Sequence, residues 1–296
     1  MQKIIFPLLF LILISLLQVD AAELTTELSS ISSETTSSGE ISTGTVISND
    51  SGEVLKKSAE VPRGRVLMVV SNVRVMPIPT VEVGIWAEEF MIPFLVFKFC
   101  SLKIDIASPT GGSFIFDKLS LDPKIVSSDS AKTANEFLLA HKEMMDKTLA
   151  LSELNPDDYD LLFVSGGHSV MFDLATNEAL QKIATRFFEK KKVVAAVAQG
   201  SVFLAGLKDK NGKSLIRGYR VTGFSDKEAE LIQILKAYPF SLEQALRKAG
   251  AKYECGQPWE NFVITDRNLI TGQNPGSTQD TARQACQALK KGESVK

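Results

Sequence analysis

The chain has 296 residues, 44% of them hydrophobic and 23% charged, with a formal net charge of -2 at pH 7. This is ordinary globular composition, enough for one large α/β domain or two small ones. The near balance of charge and the lack of a basic run argue against nucleic-acid binding through phosphate neutralisation.

The N-terminus reads as a secretory signal peptide. "MQKIIFPLLFLILISLLQVDAAEL" carries one Lys, an apolar run from Ile4 to Leu17, and then small residues. Val19 and Ala21 place cleavage before Ala22, making residues 1–21 the leader of a secreted protein, extracellular or periplasmic or held in the secretory pathway. A membrane anchor is the competing reading, but the run is shorter than the roughly 20 residues that a span needs. No stable membrane span is expected after cleavage. Residues 22–60 are rich in Ser, Thr, Glu and Gly and nearly free of aromatics. They cannot bury enough apolar surface to fold, so a disordered spacer is expected. Asn49-Asp50-Ser51 is an N-glycosylation sequon.

Strands and helices alternate from Arg65 onward, and the domain is taken as 61–296. "RVLMVVS", "KIDIAS", "YDLLFVSGG" and "KKVVAAVAQG" read as buried strands. "EEFMIPFLVFKF", "NEALQKIATRFFEKKK" and "SVFLAGL" read as the helices between them. Such βαβα order predicts a mostly parallel sheet covered by helices on both faces, with ligands at the carboxyl ends of the strands. Residues 112–155 hold an inserted helix, "TANEFLLAHKEMMDKTLA", expected to cap the strand ends. "KDKNGKSLIRGYRVTGFS", with its Asn211-Gly212 turn, and "FVITDRNLITG" both read as hairpins. "STQDTARQACQALKK" reads as the last helix, with a Ser-Thr start and terminal Lys.

The stretch "VVAAVAQGSVFLAGL" runs from a strand through a tight turn into a helix, a form that presents one side chain over a sheet edge. At its tip stand Ala198 and Gln199, neither of them a nucleophile. The three cysteines, Cys100, Cys255 and Cys286, fit no zinc spacing. They are expected to be semi-buried thiols in a fold that does not rely on disulfides. No metal or other cofactor is expected.

Seven motifs occur in order over residues 65–290: "GIWAEEFMIPF", "DIASPTGG", "YDLLFVSGGHSVMFDL", "VVAAVAQG", "LIRGYRVTGFSDKE", "PFSLEQALRKAGAKY" and "ITDRNLITGQNPGS". Together they resemble the ThiJ/PfpI superfamily, which has a class I glutamine amidotransferase-like fold, in its glyoxalase III and heat-shock chaperone branch. The resemblance implies a flavodoxin-like α/β three-layer sandwich, often a homodimer, and in active members cofactor-free conversion of methylglyoxal to lactate. Active members carry Cys and then His at the turn ("AAVCHG"), and a Glu five residues after the Phe of "TGF". Here those positions hold Ala198, Gln199 and Ala229, the last flanked by Glu228 and Glu230. The acid that contacts the thiol is retained as Glu89. The Gly pair and His whose backbone N–H groups serve as oxyanion donors are retained as Gly166, Gly167 and His168, and the glycine after the turn as Gly200.

A thiolate must add to the aldehyde carbon, and a base must then move a proton between adjacent carbons. Ala has no lone pair, and Gln does not titrate near neutral pH. The expectation is therefore a secreted pseudoenzyme that binds a small carbonyl or other ligand in the old pocket, or acts as a chaperone-like partner. Without a thiol beside it, the Glu89 pocket would suit a cation or a hydroxyl-rich ligand. The alternative is an active glyoxalase III-type hydro-lyase or deglycase with relocated residues, for which Cys255, in "YECGQPW", is the thiol to consider. Ser201 lies one turn past the tip with no adjacent His to activate it. His168 is expected to be structural, and His141 solvated.

Overall fold

In the computed structural model, residues 46–48, 54–56, 64–77 and 80–293 are described. The expected signal peptide and the sequon lie outside them. The chain divides into two units, Met1–Val61 and Pro62–Lys296. In the first, strands Val46–Ser48 (β1) and Val54–Lys56 (β2) pair antiparallel. The β-branched Val46, Ile47 and Val54 supply the local preference for it.

The second unit is built on a seven-stranded sheet. Its strands are Arg65–Val69 (β3), Lys103–Ser108 (β6), Leu149–Ala150 (β7), Leu161–Val164 (β8), Val193–Val197 (β9), Val263–Asp266 (β12) and Leu269–Gly272 (β13). They lie in the order β12-β13-β9-β8-β3-β6-β7, and every pairing is parallel except β12 with β13. Every residue of β8 and β9 is buried, as is β3 beyond Arg65. That is why these strands read as unbroken apolar runs: a parallel sheet covered on both faces has no solvent side to reward alternation.

Helix Ala87–Phe99 (α1) packs against the C-terminal helix Thr278–Glu293 (α8), which also lies on β9 and β13. Cys100, at the end of α1, is disulfide-bonded to Cys286 of α8, with the two Cα atoms 6.5 Å apart. This corrects the expectation of three thiols in a disulfide-free fold. The sequence separation of 186 residues hides the pairing, since only the packing of α1 on α8 brings the cysteines together.

The insertion holds two helices where one is expected, Ser128–Ala140 (α2) and Lys142–Asp146 (α3). They break at His141, whose ring stacks on Phe137 at 4.0 Å and meets the Phe137 carbonyl through Nδ1 at 3.0 Å. His141 is thus partly packed rather than solvated. Phe137 joins Phe90, Phe94 and Phe116 in an aromatic cluster that docks the insertion on α1.

The second expected hairpin is the β12–β13 pair. The first is reduced to one antiparallel bridge, Lys208 with Ser214. Its far strand, Arg220–Val221 (β10), pairs parallel with Lys252–Tyr253 (β11) instead. The Arg220 guanidinium reaches Glu254 and its N–H reaches Asp266, contacts that a local hairpin would not provide. A small antiparallel ribbon, Val75–Met76 (β4) with Val81–Glu82 (β5), follows β3. Three shorter helices complete the unit: Val170–Asp173 (α4), Asp226–Leu231 (α6) and Leu242–Lys248 (α7), with the longer Glu178–Glu189 (α5) between α4 and β9.

Candidate functional site

The site forms where β8 and β9 end. β8 runs into Gly166 and Gly167, and β9 runs into a 3-10 turn, Ala198–Gly206. Ala198 has φ +50°, a left-handed conformation that costs an L-residue about 1–2 kcal/mol. The strained strand-to-helix elbow is therefore present with a methyl group at its tip. The glycines have steric reasons. A Cβ on Gly200 would stand 2.5 Å from the Val164 carbonyl oxygen, and one on Gly167 2.5 Å from the Trp86 nitrogen. A Cβ on Gly166 would overlap the Glu89 carboxyl.

Glu89 lies in the first turn of α1 and is 1% exposed. Its Oε2 has no hydrogen-bond partner among the described residues. Burial, followed by the negative charges of Glu88 and Glu228, holds its carboxyl well above the ordinary carboxylate range.

Gln199, His168 and Tyr238 form a hydrogen-bonded row. The Gly167 N–H donates to Gln199 Oε1 at 3.4 Å, a long bond. Gln199 Nε2 donates to the Tyr238 hydroxyl at 2.9 Å. The Tyr238 hydroxyl and His168 Nδ1 are 2.6 Å apart. If the Tyr238 hydroxyl, which accepts from Gln199, gives its own proton to Nδ1, His168 carries its ring proton on Nε2. Burial lowers the His168 pKa, opposed by the charge of Asp117, which favours this neutral form. Burial likewise raises the Tyr238 pKa far above that of an ordinary phenol.

Residues 81–288 match the DJ-1/PfpI family. The chain belongs to the DJ-1/PfpI family. It is 34% identical over 218 residues to glyoxalase 3 of Candida albicans, covering 70% of this chain and 90% of that protein. It is 35% identical over 220 residues to the glutathione-independent glyoxalase HSP31 of Saccharomyces cerevisiae, covering 71% and 90%. Among solved structures, rapid encystment protein 24 kDa from Francisella tularensis superposes with a TM-score of 0.71 at 32% identity, covering 76% of this chain and 99% of that one. Glyoxalase III from Candida albicans superposes with a TM-score of 0.67 at 31% identity, covering 77% and 98%. These likenesses agree with the flavodoxin-like α/β fold.

In this DJ-1/PfpI chain the expected pocket residues Glu89, Gly166, Gly167, His168 and Gly200 do converge, around Ala198 and Gln199. Ala229 is buried, and the glutamates on either side of it are engaged in contacts of their own. Glu230 is exposed and faces Lys227 at 3.9 Å. Glu228 is fully buried, but both its oxygens are taken. Oε1 accepts from the Trp259 N–H at 2.9 Å and Asn274 Nδ2 at 2.8 Å, while Oε2 accepts from the Ser225 N–H at 3.0 Å and hydroxyl at 2.7 Å. It completes a capping box on α6 and anchors Trp259, whose φ is +69°.

The other nucleophile candidates are accounted for too. Ser201 is buried and donates to the Thr222 carbonyl at 3.2 Å. Cys255 is an exposed free thiol whose pKa is raised by desolvation and by the charges of Glu243 and Glu228, the opposite of an activated cysteine. Tyr238 carries no sequence signal of its own. It directly precedes the motif beginning at Pro239, and nothing local marks its hydroxyl as part of the site. Among the described residues no group of three His, Cys, Asp or Glu is placed to hold a metal ion, and no helix is long and apolar enough to cross a membrane.

Proposed function

We propose that this chain is a secreted, non-catalytic glyoxalase III-type member of its family, homodimeric, and acting by ligand binding or chaperone-like interaction. The observation that carries the reading is Ala198 at the strained elbow, where the family chemistry needs a thiol. Loss of a nucleophile from a coupled catalytic unit costs on the order of 10⁶ in rate, and loss of a positioned base about 10²–10⁴. Secretion is supported by the apolar run from Ile4 to Leu17 and by the Cys100–Cys286 disulfide, since such bonds persist in oxidising compartments.

A second reading is favoured by the relatives, several of which are named as glutathione-independent glyoxalases. In it the chain converts methylglyoxal to lactate with reacting groups placed elsewhere. A lactate-forming assay on purified protein separates the two, with an active relative run alongside. The proposal expects no lactate above the buffer control. Turnover near that of the relative, lost in Cys255→Ser, would establish the second reading.

A further inference from the structure

The floor of the old active site is filled by the protein's own side chains. Gln199 is 3% exposed, His168 6% and Tyr238 8%, and Ala198 beneath them has no exposure. The Gln199 amide oxygen is the acceptor that the Gly167 N–H faces, in the position where the family resemblance puts a substrate oxygen. The row runs from the Gly167 N–H through Gln199 and Tyr238 to His168, so the side chains that line the cleft floor are bonded to one another.

The residue that closes the row comes from the connection between α6 and α7. Backbone bonds there are local: Ile232 to Glu228, Gln233 to Glu230, Ile234 to Ala229, and Ala237 to Ile234. Gln233 has φ +61°, and Leu231, Ile232 and Phe240 expose much of their apolar surface. Within this segment, where Ile234 and Leu235 pack against the core, the Tyr238 side chain reaches the cleft, its hydroxyl bonded to both Gln199 and His168.

We propose that Tyr238 is a latch that keeps the cleft shut, with Gln199 as its built-in occupant, so that Tyr238 determines whether any small molecule reaches Ala198 and the Gly167 N–H. Segment 231–240 is the part that moves when the latch opens. The inference stands on the hydrogen-bonded row and the burial, and does not depend on whether the chain retains turnover.

The test uses the full chain with Cys255→Ser to remove the exposed free thiol and Ala198→Cys as a reporter at the cleft floor. Iodoacetamide labelling is followed by intact mass. The reporter should label far more slowly than Cys255 does in the parent. Adding Tyr238→Phe removes two hydrogen bonds while keeping the ring, and should speed labelling by about 10- to 100-fold. Tyr238→Ala should speed it further, with circular dichroism confirming that the fold is intact. Should the alanine variant unfold, the phenylalanine variant is read independently by hydrogen exchange. Its Gly167 amide should exchange about tenfold or more faster, with β8 unchanged. A reporter that labels as fast as Cys255 with Tyr238 in place, or neither labelling nor Gly167 exchange responding to Tyr238→Phe, would overturn the proposal. Lactate formation by the parent chain bears on the functional reading alone, so the two can fail separately.

Discussion

Removing the Cys100–Cys286 disulfide should cost this protein a large part of its stability. The bridge spans a sequence separation of 186 residues, from the end of α1 to the middle of α8. For a closed loop of that length, the loss of denatured-chain entropy corresponds to about 5 kcal/mol at 25 °C. Whole domains are stable by only about 5–15 kcal/mol, so the effect is comparable with the total. In a domain of this size 1 kcal/mol moves the thermal midpoint by roughly 2–4 °C, which predicts a fall of about 10–20 °C. Thermal unfolding of a Cys100→Ala/Cys286→Ala double variant measures it, beside the parent with and without reductant. Alanine is chosen because Cys286 is buried, where a serine hydroxyl would add a desolvation cost of its own. The reduced parent and the double variant should agree. A midpoint within about 2 °C of the oxidised parent would refute the entropic argument. Three titratable thiols in the native protein would refute the bridge itself.

Two further predictions concern buried carboxyl groups. Asp173 accepts the Asn72 N–H at 2.8 Å, yet burial pushes its pKa up to about 6 from 3.8. The folded state then holds this proton more tightly than the unfolded chain, so the contribution is fully present at low pH and is lost as pH rises through 6. The loss by neutral pH is on the order of 2–3 kcal/mol. Asp173→Asn should flatten that slope in urea midpoints measured from acid to neutral pH, and a variant curve parallel to the parent's would disprove it. Glu228→Gln should turn an acceptor of four hydrogen bonds into one that faces donors with its own amide, costing about 2–4 kcal/mol in denaturant unfolding. Trp259 fluorescence should report the loosened loop, and a cost near zero would mean that the network is not structural.

Much of the frame was legible because it depends on neighbours along the chain. Leu161–Val164 and Val193–Val197 are apolar throughout because both faces of a parallel sheet are covered. The elbow at Ala198 and the glycines at 166, 167 and 200 could be located because tight turns restrict residue type locally. Other features depended on tertiary packing. Tyr238 meets Gln199 across 39 residues and His168 across 70, Glu228 reaches Asn274 across 46, and Cys100 meets Cys286 across 186. Arg220–Val221 chose a parallel partner over the hairpin that its turn favoured, because Glu254 and Asp266 lay beside it. The sequence alone determined that an elbow is built and that no nucleophile stands on it. Only the tertiary structure decided that Ala198 is buried, because the Tyr238 hydroxyl, carried on a distant loop, bonds Gln199 and His168 together over it.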